Sequence, residues 1–201
     1  VKKTIAGRTI RMIAYNGQIP GPILKVSQGA TVTINFKNDL DEPTTIHWHG
    51  IRLDNKNDGV PGTTQQAVEP GGTFTYTLTF PDPGLYWYHP HTREDYEQNL
   101  GLYGLIWVEP TDMAALENVN QSAFLSLSDL LVQGSDVYPY EKERINHALM
   151  GRFGNTLLVN GKTDFKLAAR QGDVVRLNIV NTAATRVFRL AIPGATMKVI
   201  G

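Results

Sequence analysis

Strict alternation of apolar and polar residues runs through Ala30–Asn38 (ATVTINFKN) and Gly72–Phe80 (GTFTYTLTF). Successive side chains of a strand point to opposite faces, so a period of two predicts strands with one buried face. Both segments are rich in Val, Ile, Thr, Tyr and Phe, which suit a half-buried pleated surface. Pro and Gly punctuate the runs at 19–22 (IPGP), 69–72 (EPGG) and 81–84 (PDPG), where turns are expected. Strands at this spacing predict an all-β sandwich or barrel. Helix is expected only in two short stretches, 112–119 (DMAALENV) and 140–153 (YEKERINHALMGRF).

The pattern also repeats. Residues 16–38 (NGQIPGPILKVSQGATVTINFKN) are similar to residues 160–181 (NGKTDFKLAARQGDVVRLNIVN). Each copy reads Asn-Gly, an extended stretch, a Gly turn, then an alternating strand ending at Asn. Gly29 matches Gly172, Val32 matches Val175 and Asn38 matches Asn181. Two copies predict two related β domains. The first is expected over residues 1–110 and the second over 122–201, with a looser segment between them. A strand is expected at Thr196–Ile200, where the second unit is cut off, so that unit is expected to be incomplete.

Composition narrows the chemistry. The chain has 201 residues, with 19 basic and 19 acidic side chains, so no net charge steers it toward nucleic acid or an anionic membrane. The longest apolar runs fall short of the ~20 residues that a membrane helix needs. There is no cysteine, which removes disulfides, thiolate zinc sites and thiol nucleophiles. A blue (type 1) copper site is excluded from these residues on the same ground, since it needs a cysteine thiolate. The opening Val1-Lys2-Lys3 has no apolar segment before it, so either the protein is not exported or its signal peptide is absent here.

Four of the five histidines fall in two His-x-His pairs: His47 and His49 in TIHWHG, His89 and His91 in YWYHPH. On a strand, residues i and i+2 share a face about 6.5–7 Å apart. Each pair therefore presents two imidazoles side by side, and neutral imidazole ligates copper, zinc, iron and nickel. One such pair is ordinarily a surface or core-edge feature; two on neighbouring β segments point to an all-imidazole metal site. Trp48 and Pro90, between the members of each pair, should face away. His147 (RINHALMG) stands alone and reads as a surface or loop residue. Trp48, Trp87, Tyr86 and Tyr88 read as packing rather than as an electron relay.

The blocks IHWHGIRLDNKNDGVPGTTQ and PDPGLYWYHPHTREDYEQNLGLYGLIWVEP resemble the first two copper-binding motifs of multicopper oxidases, the family of laccases and metallo-oxidases. The likeness is dense from Tyr15 to Glu109. It continues more weakly through TLLVNGK and VVRLNIVNTAATRVFRLAIPG, which resemble the middle domain of three-domain members. The resemblance implies cupredoxin-like Greek-key β-sandwich or barrel domains. It implies that His47 ligates a type 2 copper and that His49, His89 and His91 ligate a type 3 copper pair. Four further histidines and the type 1 copper are implied on a carboxy-terminal domain outside this sequence, which makes the carboxy-terminal part of the same enzyme the expected partner. Residues 187–194 (VFRLAIPG) occupy the place of TIHWHG without a histidine, as a spacer domain would.

The implied reaction couples one-electron oxidation of a small-molecule or metal-ion substrate, such as phenols or aromatic amines, to four-electron reduction of dioxygen to water. Family habit implies a periplasmic or extracellular location. Asp58 (NDGVPG) matches a carboxylate that assists proton delivery, against the plain reading of Asp-Gly as a turn. Glu94 and Asp95 read as a solvated acidic loop in preference to a proton path. Two other readings stay open at this point: a mononuclear zinc hydrolase or lyase on a β scaffold, and a copper-binding module without turnover.

Overall fold

The computed structural model describes residues 1–112 and 118–200. Its strands are β1 (Lys2–Ile5), β2 (Arg8–Arg11), β3 (Gly21–Ser27), β4 (Thr31–Lys37), β5 (His47–His49), β6 (Thr73–Thr79) and β7 (Gly84–His89). They continue with β8 (Gly104–Glu109), β9 (Gln121–Leu130), β10 (Val132–Gln133), β11 (Asp136–Val137), β12 (Thr156–Val159) and β13 (Val175–Asn181). The expected strands 30–38 and 72–80 are β4 and β6, which pair antiparallel along their full length. Among the described residues the only α-helix is α1 (Arg144–Met150), inside the expected 140–153 segment. The helix expected over 112–119 lies largely outside the described residues.

The pair β4–β6 packs over a four-stranded sheet of order β3–β8–β7–β5. Inward side chains of the two layers fuse into one core: Tyr76, Leu78 and Phe80 meet Ile46, Trp48, Tyr88, Ile106 and Val108. The all-β, cupredoxin-like sandwich is thus the direct product of the alternation in β4 and β6. A second core joins the β1–β2 hairpin, Met12, Ile19, Leu100 and Tyr103 to Leu130 and Leu158 of the later sheet, β12–β9–β13, and to Val132 of the β10–β11 pair. The segment after the second histidine pair is tied to β9 and the end of β13 by polar bonds. Tyr103 Oη and Ser128 Oγ lie 2.9 Å apart, Asn99 Nδ2 donates to the Asp129 carbonyl and Gln98 Nε2 to the Thr182 carbonyl.

The internal repeat is visible in backbone detail. Asn16-Gly17 and Asn160-Gly161 each place two consecutive residues at positive φ (49° and 72°, 50° and 66°), the geometry of a tight hairpin turn. Asn38 and Asn181 each accept from the backbone N–H two residues ahead, at 2.9 and 3.0 Å, and so close the turn after their strands. The expected strand at Thr196–Ile200 does not form. It finds no partner ladder among the described residues, and Val199 is 91% exposed. An alternating segment becomes a strand only where neighbouring backbone and a core accept it.

Candidate metal centre

Strands β5 and β7 are antiparallel neighbours in the register His47↔His89, Trp48↔Tyr88, His49↔Trp87. Trp48 and Tyr88 face the sandwich core, 1% and 4% exposed. The histidines therefore occupy the opposite face, as the period of two requires. His91 lies just beyond the end of β7, because Pro90 has no N–H to continue the ladder. The chain bends there, and the His91 amide donates instead to Thr45 Oγ1 at 3.3 Å.

All four imidazoles converge. The His47 ring lies 5.6, 5.4 and 4.5 Å from those of His49, His89 and His91, and His89 lies 5.4 and 5.5 Å from His49 and His91. Donor nitrogens of His47, His49 and His89 all lie within 4.8 Å of one another. The indole of Trp87 stacks on His89 at 4.1 Å and stands 4.9 Å from His49, forming a wall of the site. His147 is elsewhere, on α1, half-buried against Tyr138 and 3.8 Å from Glu143.

The outward nitrogens of three rings are engaged. His47 Nδ1 lies 2.8 Å from the Asp58 carbonyl, and His89 Nδ1 lies 2.8 Å from the Pro90 carbonyl. A carbonyl only accepts, so both Nδ1 atoms carry the proton and both Nε2 atoms are left with a free lone pair. His91 Nδ1 meets Glu94 Oε1 at 2.8 Å, which fixes that ring the same way. Glu94 is therefore more than a member of a solvated loop; its spacing of three from His91 was the available signal. Asp95 pairs with Arg93 instead. His49 turns Nδ1, not Nε2, toward the other rings, 3.2 Å from His89 Nε2; that nitrogen accepts, so the His49 Nδ1 proton must shift to Nε2 before Nδ1 can bind a metal.

The loop bearing Asp58 is held from three sides. Asp54 caps the 3₁₀ turn Asn55–Asn57 by accepting from the Lys56 amide. The buried Asn57 carboxamide oxygen accepts from the Thr77 amide of β6. Gly59, at φ +75°, packs so closely that a Cβ would lie 1.9 Å from the Ile46 carbonyl oxygen. That approach brings the Asp58 carbonyl to His47 and sets the Asp58 carboxylate Oδ1 3.3 Å from the same nitrogen. The Asp58 carboxylate thus lies at the edge of the four-histidine group.

The sequence matches the multicopper oxidase family over residues 1–113, more than half of the chain. The chain belongs to the multicopper oxidases. Multicopper oxidase MmcO of Mycobacterium tuberculosis is 32% identical over 97% of the chain and 43% of its own length. Copper resistance protein A of Pseudomonas syringae pv. tomato is 30% identical over 98% of the chain and 39% of its own length. The crystal structure of a multi-copper oxidase from Pseudomonas thermotolerans superposes with a TM-score of 0.86 at 36% identity, over 96% of this chain and 46% of that one. The chain thus spans about two fifths of the length of these relatives.

The donor set fits copper. It is all imidazole, and its outward nitrogens are already bonded. Burial pushes the His89 imidazole down to about 3, helped by the neighbouring His47, His49 and His91, against the opposing bond to Pro90. Burial lowers His49 too. Both rings are therefore neutral near pH 7, with lone pairs available to a cation.

Two outcomes follow from this geometry. Gly59→Ala drives a methyl into the Ile46 carbonyl at a positive φ. It should cost about 1–3 kcal/mol of stability and roughly 10–100-fold in copper affinity, through loss of the His47 acceptor. Urea unfolding and copper titration check it, and an unchanged copper affinity would contradict it. The second outcome concerns pH. The unfolded chain takes up the His89 proton near 6.5, whereas the folded chain resists until about 3. The copper-free protein should therefore lose stability as pH falls through this window, and His89→Gln should flatten that part of the profile. Thermal melts across the window decide it.

Proposed function

We propose that this chain provides half of the protein ligands of a trinuclear copper cluster. The enzyme couples one-electron oxidation of phenols, aromatic amines or metal ions to the four-electron reduction of dioxygen to water. The observation that carries this reading is the convergence of four neutral-capable imidazoles from two paired strands in a chain with no cysteine. His47 would hold the type 2 copper, and His49, His89 and His91 the type 3 pair. The remaining cluster ligands and the type 1 copper belong to the carboxy-terminal part of the enzyme. The family membership and the share of the relatives that the chain spans support this division, and with it the two units 1–110 and 122–201. Export to the periplasm or outside follows the same reading.

Copper, when bound, supplies one-electron redox chemistry at several metals and a place for dioxygen. The chain supplies the rest. The Asp58 and Pro90 carbonyls and the Glu94 carboxylate fix three rings so that their free nitrogens face one another. Trp87 covers one side and excludes water there. The Asp58 carboxylate stands 3.3 Å from His47 Nδ1 at the rim of the site, placed for the proton delivery assigned to it in this reading. His49, with its donor nitrogen reversed, completes the set at the more exposed edge.

The test uses the full-length protein. It should carry about four coppers and take up oxygen with a phenol as reductant. His49→Ala combined with His89→Ala should keep any blue copper absorption, lose cluster copper and slow oxygen uptake by more than about 100-fold, beyond the loss expected for removing only a ligand's hydrogen-bond partner. Stoichiometric zinc in place of copper, or full activity in the double variant, would overturn the reading.

A further inference from the structure

Glu97 is 1% exposed. A buried carboxyl is ordinarily paired with a cation, since an isolated buried charge is costly. Here the partners are two hydroxyls. Thr44 Oγ1 donates to Glu97 Oε2 at 2.6 Å and Thr92 Oγ1 to the same oxygen at 2.9 Å. The two hydroxyls are 3.1 Å apart, which closes a triangle of exchangeable protons. Glu97 Oε1 has no hydrogen-bond partner among the described residues. Such a group is poorly designed as a structural staple, because half of its bonding capacity is idle.

Its surroundings give it two sides. Thr92 follows the ligand His91, and Thr45, next to Thr44, accepts from the His91 amide. On the other side Thr44 lines a cavity of about 930 Å³ shared with Asn38, Asp41, Trp48, Tyr15 and Tyr96. Trp48 and Tyr15 also line this cavity, and each has a buried polar atom, Nε1 and Oη, without a partner among the described residues. Two idle polar groups and the Thr44 hydroxyl beside one cavity mark a place for water rather than a dry void.

We infer that Glu97 is a proton-holding group that serves the metal centre from behind, exchanging protons through Thr44 with water in the cavity that Thr44 lines and passing them through Thr92 toward the His91 end. The inference rests on the oxidase reading, in which oxygen reduction consumes protons at the cluster. The step moves no electrons. The protonated carboxyl gives its proton to the Thr92 oxygen as the Thr92 hydroxyl passes its own proton to a water molecule on the His91 side. The carboxylate then stays bonded to both hydroxyls until cavity water returns a proton. Because Glu97 acts through the hydroxyls, it is a positioning residue for protons, distinct from Asp58 at the front of the site.

The groups acting on Glu97 are consistent with exchange near neutrality. Burial and the Glu42 carboxylate push it up, while the Thr44 and Thr92 bonds and Arg93 draw it down, leaving it at about 7. Arg93 is itself engaged by Asp95 at 3.2 Å. Charge on Glu97 in turn raises the buried Tyr15 phenol, after burial and Tyr88.

The experiment uses the full-length, copper-loaded protein and Glu97→Gln, which keeps an acceptor for both threonines but cannot titrate. Infrared difference spectra should show a buried, protonated carboxyl that disappears as pH rises through about 7 and is absent from the variant. The variant should keep its copper and melting temperature but take up oxygen about 100-fold more slowly, the low end for a positioned proton donor, with the pH limb near 7 lost. No titrating carboxyl, or a variant with the native rate and pH profile, would overturn the inference. So would a variant that loses copper while its residual activity keeps the native profile. Should Glu97→Gln fold poorly, Thr92→Val replaces it: the infrared titration should persist while oxygen uptake slows. Failure of the oxidase reading itself appears separately, as a native protein without copper or oxygen uptake.

Discussion

The short antiparallel pairing of β5 with β7 fixes everything at the site. With His47 opposite His89, Trp48 falls opposite Tyr88, and both aromatic rings enter the sandwich core. The imidazoles are then committed to the other face. A slip of one residue would turn the histidines into the core and the indole out into the site. The buried aromatics therefore act as the lock on the metal geometry, although neither touches a ligand nitrogen. Burial of Trp48, Tyr76, Tyr88 and Phe80 makes that register far more stable than its neighbours.

Around that lock the protein treats proton positions as part of the structure. Carbonyls at Asp58 and Pro90 and a carboxylate at Glu94 each hold one Nδ1, so the free nitrogens of three rings point inward. Desolvation keeps His89 and His49 uncharged. The cost of this arrangement falls on the apo protein, which buries imidazoles that water would rather solvate. The same economy appears behind the site, where Glu97 is buried with hydroxyl partners alone.

Much of this was legible in the sequence, for identifiable reasons. Alternation wrote β4 and β6, and the two His-x-His pairs named all four convergent rings, because side-chain direction along a strand is a local property. The Asn-Gly repeat was legible too, since its turn chemistry is local. What escaped depends on contacts distant in sequence. Glu94 passes for a solvated acid until Pro90 ends the strand and turns His91 toward it. Gly59 looks like an ordinary turn glycine, and only the Ile46 carbonyl shows why no side chain fits. Glu97 sits among polar residues, and nothing local says that it is buried. The strand expected at Thr196–Ile200 failed in the converse way, with a suitable pattern but no ladder to join.

The central claim is that copper binds between these four imidazoles, through Nε2 of His47, His89 and His91 and Nδ1 of His49. Anomalous diffraction at the copper edge, from crystals of the copper-loaded full-length protein, tests it directly. The account predicts copper peaks within bonding distance of those four nitrogens, with the Asp58, Pro90 and Glu94 contacts to the rings retained. Copper bound elsewhere, or rings rotated so that Nδ1 of His47 or His89 meets the metal, would contradict it.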